Sequence, residues 1–292
     1  MKIGYYPGCS LHGTAREFGE SVLAVAGAIG ASLEEIEDWN CCGASSAHVV
    51  NHRLAVALSA RNLALAEAQG FEQVLAPCAA CYNRLATARD AMAASETLRA
   101  ELPAIIGRPL PSHLAIRNIL QFLLEALPSV RERVSVSLNG LPVVCYYGCL
   151  LVRPGGITGC DDPERPSTME EIARACGAKP LAWHMAVECC GGALSVSRTS
   201  SVIRLGRAIL DDARKAGARA IVVACPMCHS NLDFRQEAMR RNGEAPLPIL
   251  YVTELVGLAM GLAPETLGLA RHFVEAGGLL DGRAIGRLQE AR

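Results

Sequence analysis

Cysteine is the residue type with the most chemical potential in this 292-residue sequence, which contains 13 of them. Ten fall into two sets of five with the same order: a single cysteine, an adjacent pair followed by glycine, and a CxxC motif. The first set is Cys9, Cys41, Cys42, Cys78 and Cys81, and the second is Cys149, Cys189, Cys190, Cys225 and Cys228. So many thiols in a chain without a recognisable export signal indicate metal or redox chemistry rather than structural disulfides.

The two sets are related by a nearly constant shift along the chain. Matched cysteines are separated by 140, 148, 148, 147 and 147 residues. The flanking residues repeat as well, with NCCG at 40–43 matching ECCG at 188–191. Repetition in one order and at nearly one interval predicts that the chain consists of two copies of one unit.

Each copy alternates short apolar runs with helical patterns. The predicted strands are 2–6, 73–76, 143–147 and 219–224, and the predicted helices are 14–29, 52–69, 168–176 and 201–216. This alternation predicts an α/β fold, in which two pseudo-symmetric copies of a βαβ-type unit form largely parallel sheets. The cysteines follow strand ends and each CxxC heads a predicted helix, so the cysteines are expected at the carboxyl edge of each sheet.

The cysteine-containing stretches and the segments without these motifs divide the chain into four parts. Residues 1–94 form the first cysteine unit, and residues 141–252 form the second. Residues 95–140, which contain several prolines, are predicted to be a helical connector. Residues 253–292 are predicted to be a C-terminal helical extension that serves packing or partner contact.

Composition excludes several classes of function. Hydrophobic residues make up 51% of the chain and charged residues 20%, with a net charge of -1, so neither disorder nor electrostatic binding of nucleic acid is indicated. The longest charge-free apolar stretches, 22–33 and 255–264, are shorter than the roughly 18 residues that span a bilayer. The first residues contain no apolar export region. We therefore expect a cytoplasmic protein without membrane insertion.

Five cysteines per copy are more than the common thiol sites need. A lone CxxC would suit a thioredoxin-like dithiol or half of a zinc site, but four tetrahedral ligands already close structural zinc. Adjacent cysteines have α-carbons about 3.8 Å apart and diverging side chains, so they reach two metal atoms more easily than one. We interpret each set as an iron–sulfur site, in which the fifth cysteine is either a spare thiol or a sign of unusual cluster geometry.

The complete pattern resembles the cysteine-rich CCG domain, duplicated as in the family of B-type subunits of heterodisulfide reductase. The resemblance covers about residues 1–260, and the stretches YYPGCSLH at 5–12 and CYYGCLLVRP at 145–154 look like the bacterial branch. It implies that the five cysteines of each set bind a non-cubane four-iron four-sulfur cluster. It further implies that the two clusters face a shared cavity and split a disulfide reductively into two thiols, or run the reverse reaction. Electrons would come through a separate ferredoxin-like subunit from a flavin-bearing one.

The resemblance leaves other functions open. The same domain occurs in glycolate or lactate oxidation complexes and in an unusual succinate:quinone reductase, where it relays electrons or engages quinone. An electron-relay or quinone-linked subunit of a dehydrogenase is therefore the alternative to disulfide chemistry. A zinc-stabilised interaction protein is a second alternative.

Four polar residues are candidates for roles beside the cysteines. His229 directly follows Cys228, and His12 lies three residues after the first cysteine, so either could tune a cluster or protonate a leaving thiolate. His48 is a more distant third. Arg153 follows the second leading motif and could meet an anionic group of a substrate.

The remaining cysteines and both tryptophans are interpreted separately. Cys145 is expected to line the site without being a ligand. Cys160 and Cys176 have no counterparts in the first copy, and Cys176 ends an apolar helix, so we expect it to be a small buried hydrophobic residue. Trp39 and Trp183 precede the cysteine pairs and could shield the clusters from water or simply pack in the core.

Overall fold

The first copy alternates strands and helices along the chain. A computed structural model of the chain describes residues 2–44, 46–241, 243–276 and 279, and the backbone of 286–287. The elements of the first copy are β1 (Lys2–Tyr5), α1 (Gly8–His12), α2 (Arg16–Ala28), β2 (Ser32–Glu35), α3 (Ala47–Val50), α4 (His52–Ala68), β3 (Gln73–Leu75) and α5 (Ala79–Ala94).

The segment after the first copy is not only helical, which corrects the prediction for residues 95–140. Its elements are α6 (Glu96–Ile106), β4 (Ala115–Arg117), α7 (Ile119–Glu125), α8 (Leu127–Arg133) and β5 (Val136–Ser137). Strand β4 pairs in parallel with β3, with Val74 opposite Ile116. A strand of three residues is too short to show an alternating pattern in the sequence.

The second copy repeats the order of the first. Its elements are β6 (Pro142–Tyr146), α9 (Gly155–Thr158), α10 (Thr168–Ala175), β7 (Lys179–Pro180), α11 (Thr199–Lys215), β8 (Ala220–Val223), α12 (Pro226–Leu232), α13 (Gln236–Met239) and β9 (Ile249–Tyr251). Short 3₁₀ turns lie at Gly192–Leu194 and Leu269–Arg271.

Two four-stranded sheets with matching strand order confirm the predicted α/β duplication. The first sheet has the order β2-β1-β3-β4 and the second the order β7-β6-β8-β9. All pairs within both sheets are parallel. All four residues of β8, with the sequence AIVV, are buried, as expected for a central parallel strand covered on both faces.

The C-terminal segment differs from the predicted helical extension. Helix α14 (Val252–Ala259) ends soon after it begins, because Gly261 takes a left-handed φ of 77° and Pro264 follows. Farther along the chain, the two-residue strand β10 (Gly286–Arg287) pairs antiparallel with β5. The rest of this prediction falls on residues outside the described part of the chain.

Helix α2 of the first copy packs against the end of β9 and the start of α14. The ring of Phe18 in α2 stacks on that of Tyr251 at the end of β9, with centroids 4.2 Å apart. One helical turn away, the buried hydroxyls of Ser21 and Thr253 lie 2.7 Å apart. On another part of the interface, Asn83 of α5 donates to the backbone carbonyl of Leu150 at 2.9 Å. The two sets of cysteines are thus fixed relative to one another by packing between the copies.

No helix in the described ranges combines the length and apolar character that crossing a membrane requires.

Candidate functional site

The five cysteines of the first set meet as predicted from their spacing. The sulfur of Cys9 lies 4.0 Å from that of Cys41, and the sulfur of Cys42 lies 3.4 Å from that of Cys81. The thiols of Cys41 and Cys42 interact with each other, and so do those of Cys78 and Cys81. The five sulfurs therefore form a continuous line of pairwise contacts.

The second set repeats this geometry. The sulfur of Cys190 lies 3.5 Å from that of Cys228, which matches the 3.4 Å contact in the first set. The thiol of Cys189 interacts with that of Cys149, and the thiol of Cys225 with that of Cys228. The structure therefore brings all ten cysteines into two equivalent groups.

The loop with the adjacent cysteines is shaped by a glycine in each copy. Gly43 and Gly191 take left-handed φ values of 76° and 78°, which favour glycine. Their backbone N–H groups approach the sulfurs of Cys41 and Cys189 at 3.4 and 3.3 Å. Each loop thus directs a hydrogen-bond donor at the first cysteine of its pair.

A second glycine in each copy lies directly against a sulfur. Gly8 has a φ of 64°, and a β-carbon at this position would lie 2.7 Å from the sulfur of Cys81. Gly148 has the same φ, and its β-carbon would lie 3.0 Å from the sulfur of Cys228. Both positions require glycine because any side chain would occupy the space of the sulfur.

Each CxxC motif begins a helix, as predicted. Cys78 is the N-cap residue of α5, and Cys225 is the N-cap residue of α12. The positive end of a helix dipole stabilises a thiolate at this position.

The two CxxC motifs lie close to one another. The thiol of Cys228 lowers the pKa of Cys225, and so do the backbone N–H groups of Cys228, Met227 and Ala80, against the opposing effect of burial. Ala80 belongs to the CxxC motif of the first copy. A backbone N–H of one copy is therefore near enough to influence a thiol of the other.

A neighbouring thiol lowers the pKa of one cysteine in each group. The thiol of Cys41 lowers the pKa of Cys42 to about 3. In the second set, the thiol of Cys149 lowers the pKa of Cys189 to about 6. The same hydrogen bonds, with burial, raise the pKa of the partners Cys41 and Cys149, so one thiol of each pair loses its proton first.

Buried tyrosines lie beneath both sets. Tyr6 donates to the carbonyl of Asn40 at 2.8 Å, and Tyr146 donates to that of Glu188 at 2.6 Å. Burial, with the charge of nearby cysteines, raises the pKa of both phenols. They therefore remain neutral and hold the residue before each cysteine pair in place. Sequence reasoning assigned these tyrosines no role, although both lie three residues before the leading cysteine of their copy.

The two tryptophans pack edge-on against these tyrosines. The ring of Trp39 lies 5.5 Å from that of Tyr6, and the ring of Trp183 lies 6.0 Å from that of Tyr146. Both are half-buried. They cover the tyrosines that lie beneath the sulfurs.

The cysteines differ in their access to solvent. Cys9, Cys41 and Cys189 are exposed and Cys149 is partly exposed, whereas the other six are buried. Each group thus opens to the outside at its leading cysteine and at the first member of its pair. A small molecule could reach the sulfurs from this side.

The donors and the space around them suit a metal–sulfur cluster. Sulfurs of each set contact in pairs, at 3.4 Å between Cys42 and Cys81 and 3.5 Å between Cys190 and Cys228. Gly8 and Gly148 leave the space beside a sulfur free of side chains. Five thiol donors per group, with two adjacent in sequence, suit a cluster of several irons.

The two groups differ in charge at one matched position. Arg84 and Asn231 each lie three residues after the last cysteine of their set. The positive charge of Arg84 helps to lower the pKa of Cys42, after the effect of Cys41. In the second group, the amide of Asn231 donates to the carbonyl of Cys190 at 3.2 Å and lies 3.7 Å from its sulfur. Sequence reasoning missed this pair, which the repeat interval of 147 residues could have found.

Two of the polar candidates pair with nearby carboxylates. His12 is exposed, and its Nε2 lies 3.1 Å from a carboxylate oxygen of Glu35. Arg153 pairs with Glu164, 11 residues farther along the chain, at 3.0 Å. His48 is exposed on α3. The partners of His12 and Arg153 could not be read from sequence position alone.

His229 is buried behind the second group. Its Nε2 lies 3.2 Å from the carbonyl oxygen of Ile249, and its ring stacks on Tyr251 with centroids 4.3 Å apart. Burial, and then the charge of His272, lowers its pKa well below the usual value. His229 is therefore a neutral imidazole and does not open to the exposed side of the site.

The extra cysteines lie apart from both groups. Cys145 does not line the site, contrary to our expectation, because successive side chains of a strand point to opposite faces. Tyr146 faces the sulfurs, whereas Cys145 lies near Glu170 and Arg174 of α10. Burial raises the pKa of Cys176 to about 12, in line with a buried apolar role. Burial also raises the pKa of Cys160, to about 11.

Comparison with known protein families matches both copies to one model. The cysteine-rich CCG domain matches residues 3–86 and again residues 143–233, which together exceed half of the chain. This match agrees with the duplication deduced from the cysteine spacing.

Full-length relatives are subunits of reductases. The 8-methylmenaquinol:fumarate reductase membrane anchor subunit of Wolinella succinogenes is 30% identical over 280 residues, or 94% of this chain and 98% of the relative. A protein of Archaeoglobus profundus that is named as similar to the B-type subunit of heterodisulfide reductase is 27% identical over 91% of this chain and 92% of the relative. The B-type subunit of the ferredoxin:CoB-CoM heterodisulfide reductase of Methanosarcina mazei is 30% identical over 75% of this chain and 76% of the relative.

A solved structure shares the fold. A hypothetical protein from Helicobacter pylori superposes with a TM-score of 0.74 at 12% identity, over 94% of this chain. The chain spans about half of that structure, 52% of its length. The family match, the two groups of five cysteines and these relatives together show that the chain belongs to the cysteine-rich CCG family and carries its domain twice.

Proposed function

We propose that this chain is the catalytic subunit of a heterodisulfide-reductase-like complex, which reduces a disulfide to two thiols or runs the reverse reaction. The ten cysteines of the two groups would hold two non-cubane four-iron four-sulfur clusters. When bound, such clusters supply single electrons and Lewis-acid iron to the sulfur atoms of a disulfide.

The observation that carries this proposal is the adjacency of the two cysteine groups. The N–H of Ala80 in the first CxxC motif lies near enough to lower the pKa of Cys225 in the second, and Tyr251 lies close to both Cys225 and Cys78. A disulfide has two bonded sulfurs and yields two thiols, so paired neighbouring sites match its chemistry. The exposed Cys9, Cys41 and Cys189 leave room for a substrate to approach each group.

The chain's own residues would position the sites. Gly43 and Gly191 direct N–H groups at cysteine sulfurs, and Tyr6 and Tyr146 fix the loops that carry the cysteine pairs. N–H donors near sulfur stabilise thiolate charge, which lowers the cost of holding a negatively charged cluster.

The proposal includes partners and a location. The sequence contains no additional CxxCxxC run, so electrons would come through a ferredoxin-like subunit of the complex from a flavin-bearing one. All 13 cysteines are free, which suits the reducing cytoplasm.

A second candidate function is an electron-relay or quinone-linked subunit. The specific support is the fumarate reductase membrane anchor subunit, which matches this chain over nearly the full length of both. In that case the clusters would pass electrons without forming thiols.

A thiol-release assay separates the two functions. Anaerobically purified protein, an artificial reductant and a set of low-molecular-weight and lipoyl disulfides would be incubated together, and free thiols counted. We expect two thiols per two electrons consumed, loss of this activity in Cys189→Ala, and its retention in the matched control Cys176→Ala. Electron transfer to a quinone analogue without thiol release from any disulfide would overturn the proposal in favour of the relay.

A further inference from the structure

A group of ionisable side chains is buried between the two copies and takes no part in the site described above. It draws on α2, α12, β9 and α14, and on the turn after Leu269–Arg271. Each member is at most 9% exposed. The members, here called the buried acid network, are Glu17, Asp233, Tyr251, Glu254 and His272.

The buried acid network lies directly behind both cysteine groups. The ring of Tyr251 stacks on His229, the residue that follows Cys228. Burial raises the pKa of Tyr251, and the charges of Cys225 and Cys78, one from each group, raise it further. An electron taken up by a cluster at either group would therefore add negative charge close to the network.

The centre of the network is a fully buried histidine–carboxylate pair, in which one ring nitrogen of the histidine has no partner among the described residues. The Nε2 of His272 lies 2.9 Å from a carboxylate oxygen of Glu254, and neither side chain is exposed to solvent. Among the described residues, Nδ1 of His272 has no hydrogen-bond partner. A neutral His272 can therefore accept a proton at Nδ1 without breaking its bond to Glu254.

The network contains more carboxyl groups than its cations can balance. Burial raises the pKa of Glu17, Asp233 and Glu254. For His272, burial opposes protonation, but the hydrogen bond and the charge of Glu254 outweigh it and raise the pKa. Three buried acids around one basic histidine respond strongly to any added negative charge, because low dielectric strengthens their interaction with it.

We propose that the buried acid network is a redox-linked proton site, which takes up a proton from solvent when the adjacent cysteine-bound clusters are reduced. The proton is bound at Nδ1 of His272 or at a carboxyl oxygen of Glu254 or Glu17. Each electron that the proposed ferredoxin-like partner delivers to a cluster would then be balanced by up to one proton taken from solvent.

The network comes near the surface along α2. The hydroxyl of Tyr251 lies 3.4 Å from a carboxylate oxygen of Glu17. Glu17 itself is 7% exposed. Three residues farther along the helix, the surface residue Glu20 pairs with Arg271 at 2.9 Å. Glu17 is thus the member of the network beside this charged surface pair.

The test is the pH dependence of the cluster midpoint potentials. The potentials of the iron-loaded protein would be measured by redox titration with paramagnetic resonance detection between pH 6 and 8. Because reduction binds a proton, the potential should fall as pH rises, by up to about 59 mV for each tenfold fall in proton activity. Glu254→Gln and Glu17→Gln should each flatten this dependence at unchanged iron content.

Two comparisons make the test decisive. His184→Gln breaks an exposed histidine–carboxylate pair with Asp212 and should leave the dependence unchanged. Potentials that do not vary with pH in the wild type, or that keep the wild-type slope in both glutamine variants, would overturn the proposal.

This inference rests on the proposed clusters but not on disulfide chemistry. Iron content and the paramagnetic signal show whether the clusters are present. Thiol release shows whether the disulfide reaction occurs. The slope of the midpoint potential against pH shows whether the network binds a proton on reduction. If only the pH dependence of the midpoint potential is missing, the proposed function still stands. If the pH dependence is present but no thiol is released, only the proposed disulfide reduction is contradicted.

Discussion

Single residues define the space beside each sulfur. Gly8 and Gly148 lie at matched positions with the same left-handed backbone, and each leaves room for one cysteine sulfur. Arg84 and Asn231 occupy another matched pair, but one carries a charge and the other does not. The shared positions are needed to form a site, and the differing positions make the two sites unequal.

Gly8→Ala should remove the first site. The new β-carbon would lie 2.7 Å from the sulfur of Cys81, so that cysteine must move. We expect the iron content to fall by about half, since one of two four-iron clusters would be lost. Gly30→Ala is the matched control, because Gly30 has a φ of 80° but no atom within 4 Å of its β-carbon. It should keep its iron and lose only about 1–2 kcal/mol of stability from backbone strain. Equal iron loss in both variants would contradict a specific role for Gly8.

Arg84→Gln should lower the midpoint potential of the first cluster. Removing a positive charge near Cys42 disfavours the added electron, by on the order of 1 kcal/mol for a partly exposed ion pair. Redox titration should show one potential shifted and the other unchanged. Arg89→Gln, farther along α5 and exposed, serves as the control. A shift of both potentials, or of neither, would refute this assignment.

At the scale of elements, motif positions were predictable and long-range contacts were not. The spacing of the cysteines predicted both groups, and alternating strands and helices predicted parallel sheets. Strand β4 was missed because three residues are too few to show the alternation of apolar and polar side chains that identifies a strand. The contact between Glu17 and Tyr251 joins residues 234 positions apart, and no local pattern encodes such a distance. The expectation for Cys145 failed because the face of a strand that points to the site depends on its register in the sheet.

Helices α2 and α14 should control the stability of the joined copies. Phe18→Ala deletes a fully buried ring that stacks on Tyr251, and we expect it to cost about 3–5 kcal/mol. Leu23→Ala, on the same helix but 48% exposed, should change the free energy of unfolding by less than about 1 kcal/mol. Denaturant unfolding would measure both. Similar costs for the two variants would show that the packing of α2 on the second copy contributes little.

For the whole molecule, the duplication places two similar cysteine groups near one another, with the buried acid network beside both. Each group draws its five cysteines from one copy only, and Ala80 of the first copy lies near enough to influence the Cys225 thiol of the second. The two sites are therefore separate in their ligands and close in space. Paired sites of this kind suit the cleavage of one bond into two similar products.

Cys42→Ala should remove one cluster and leave the other. The second group takes no ligand from the first copy, so its spectrum should persist while the iron content falls by about half. Cys190→Ala is the matched variant and should remove the other signal. Loss of both signals in either variant would contradict independent sites.

The most direct test of the central claim is a count of iron and acid-labile sulfide per chain on anaerobically purified protein, followed by low-temperature paramagnetic resonance with candidate thiols added. We predict about eight irons per chain, as two four-iron clusters require, and a signal that changes when a thiol binds. About eight irons with no response to any thiol would contradict disulfide chemistry at the clusters, and about four would contradict the claim that both copies hold one.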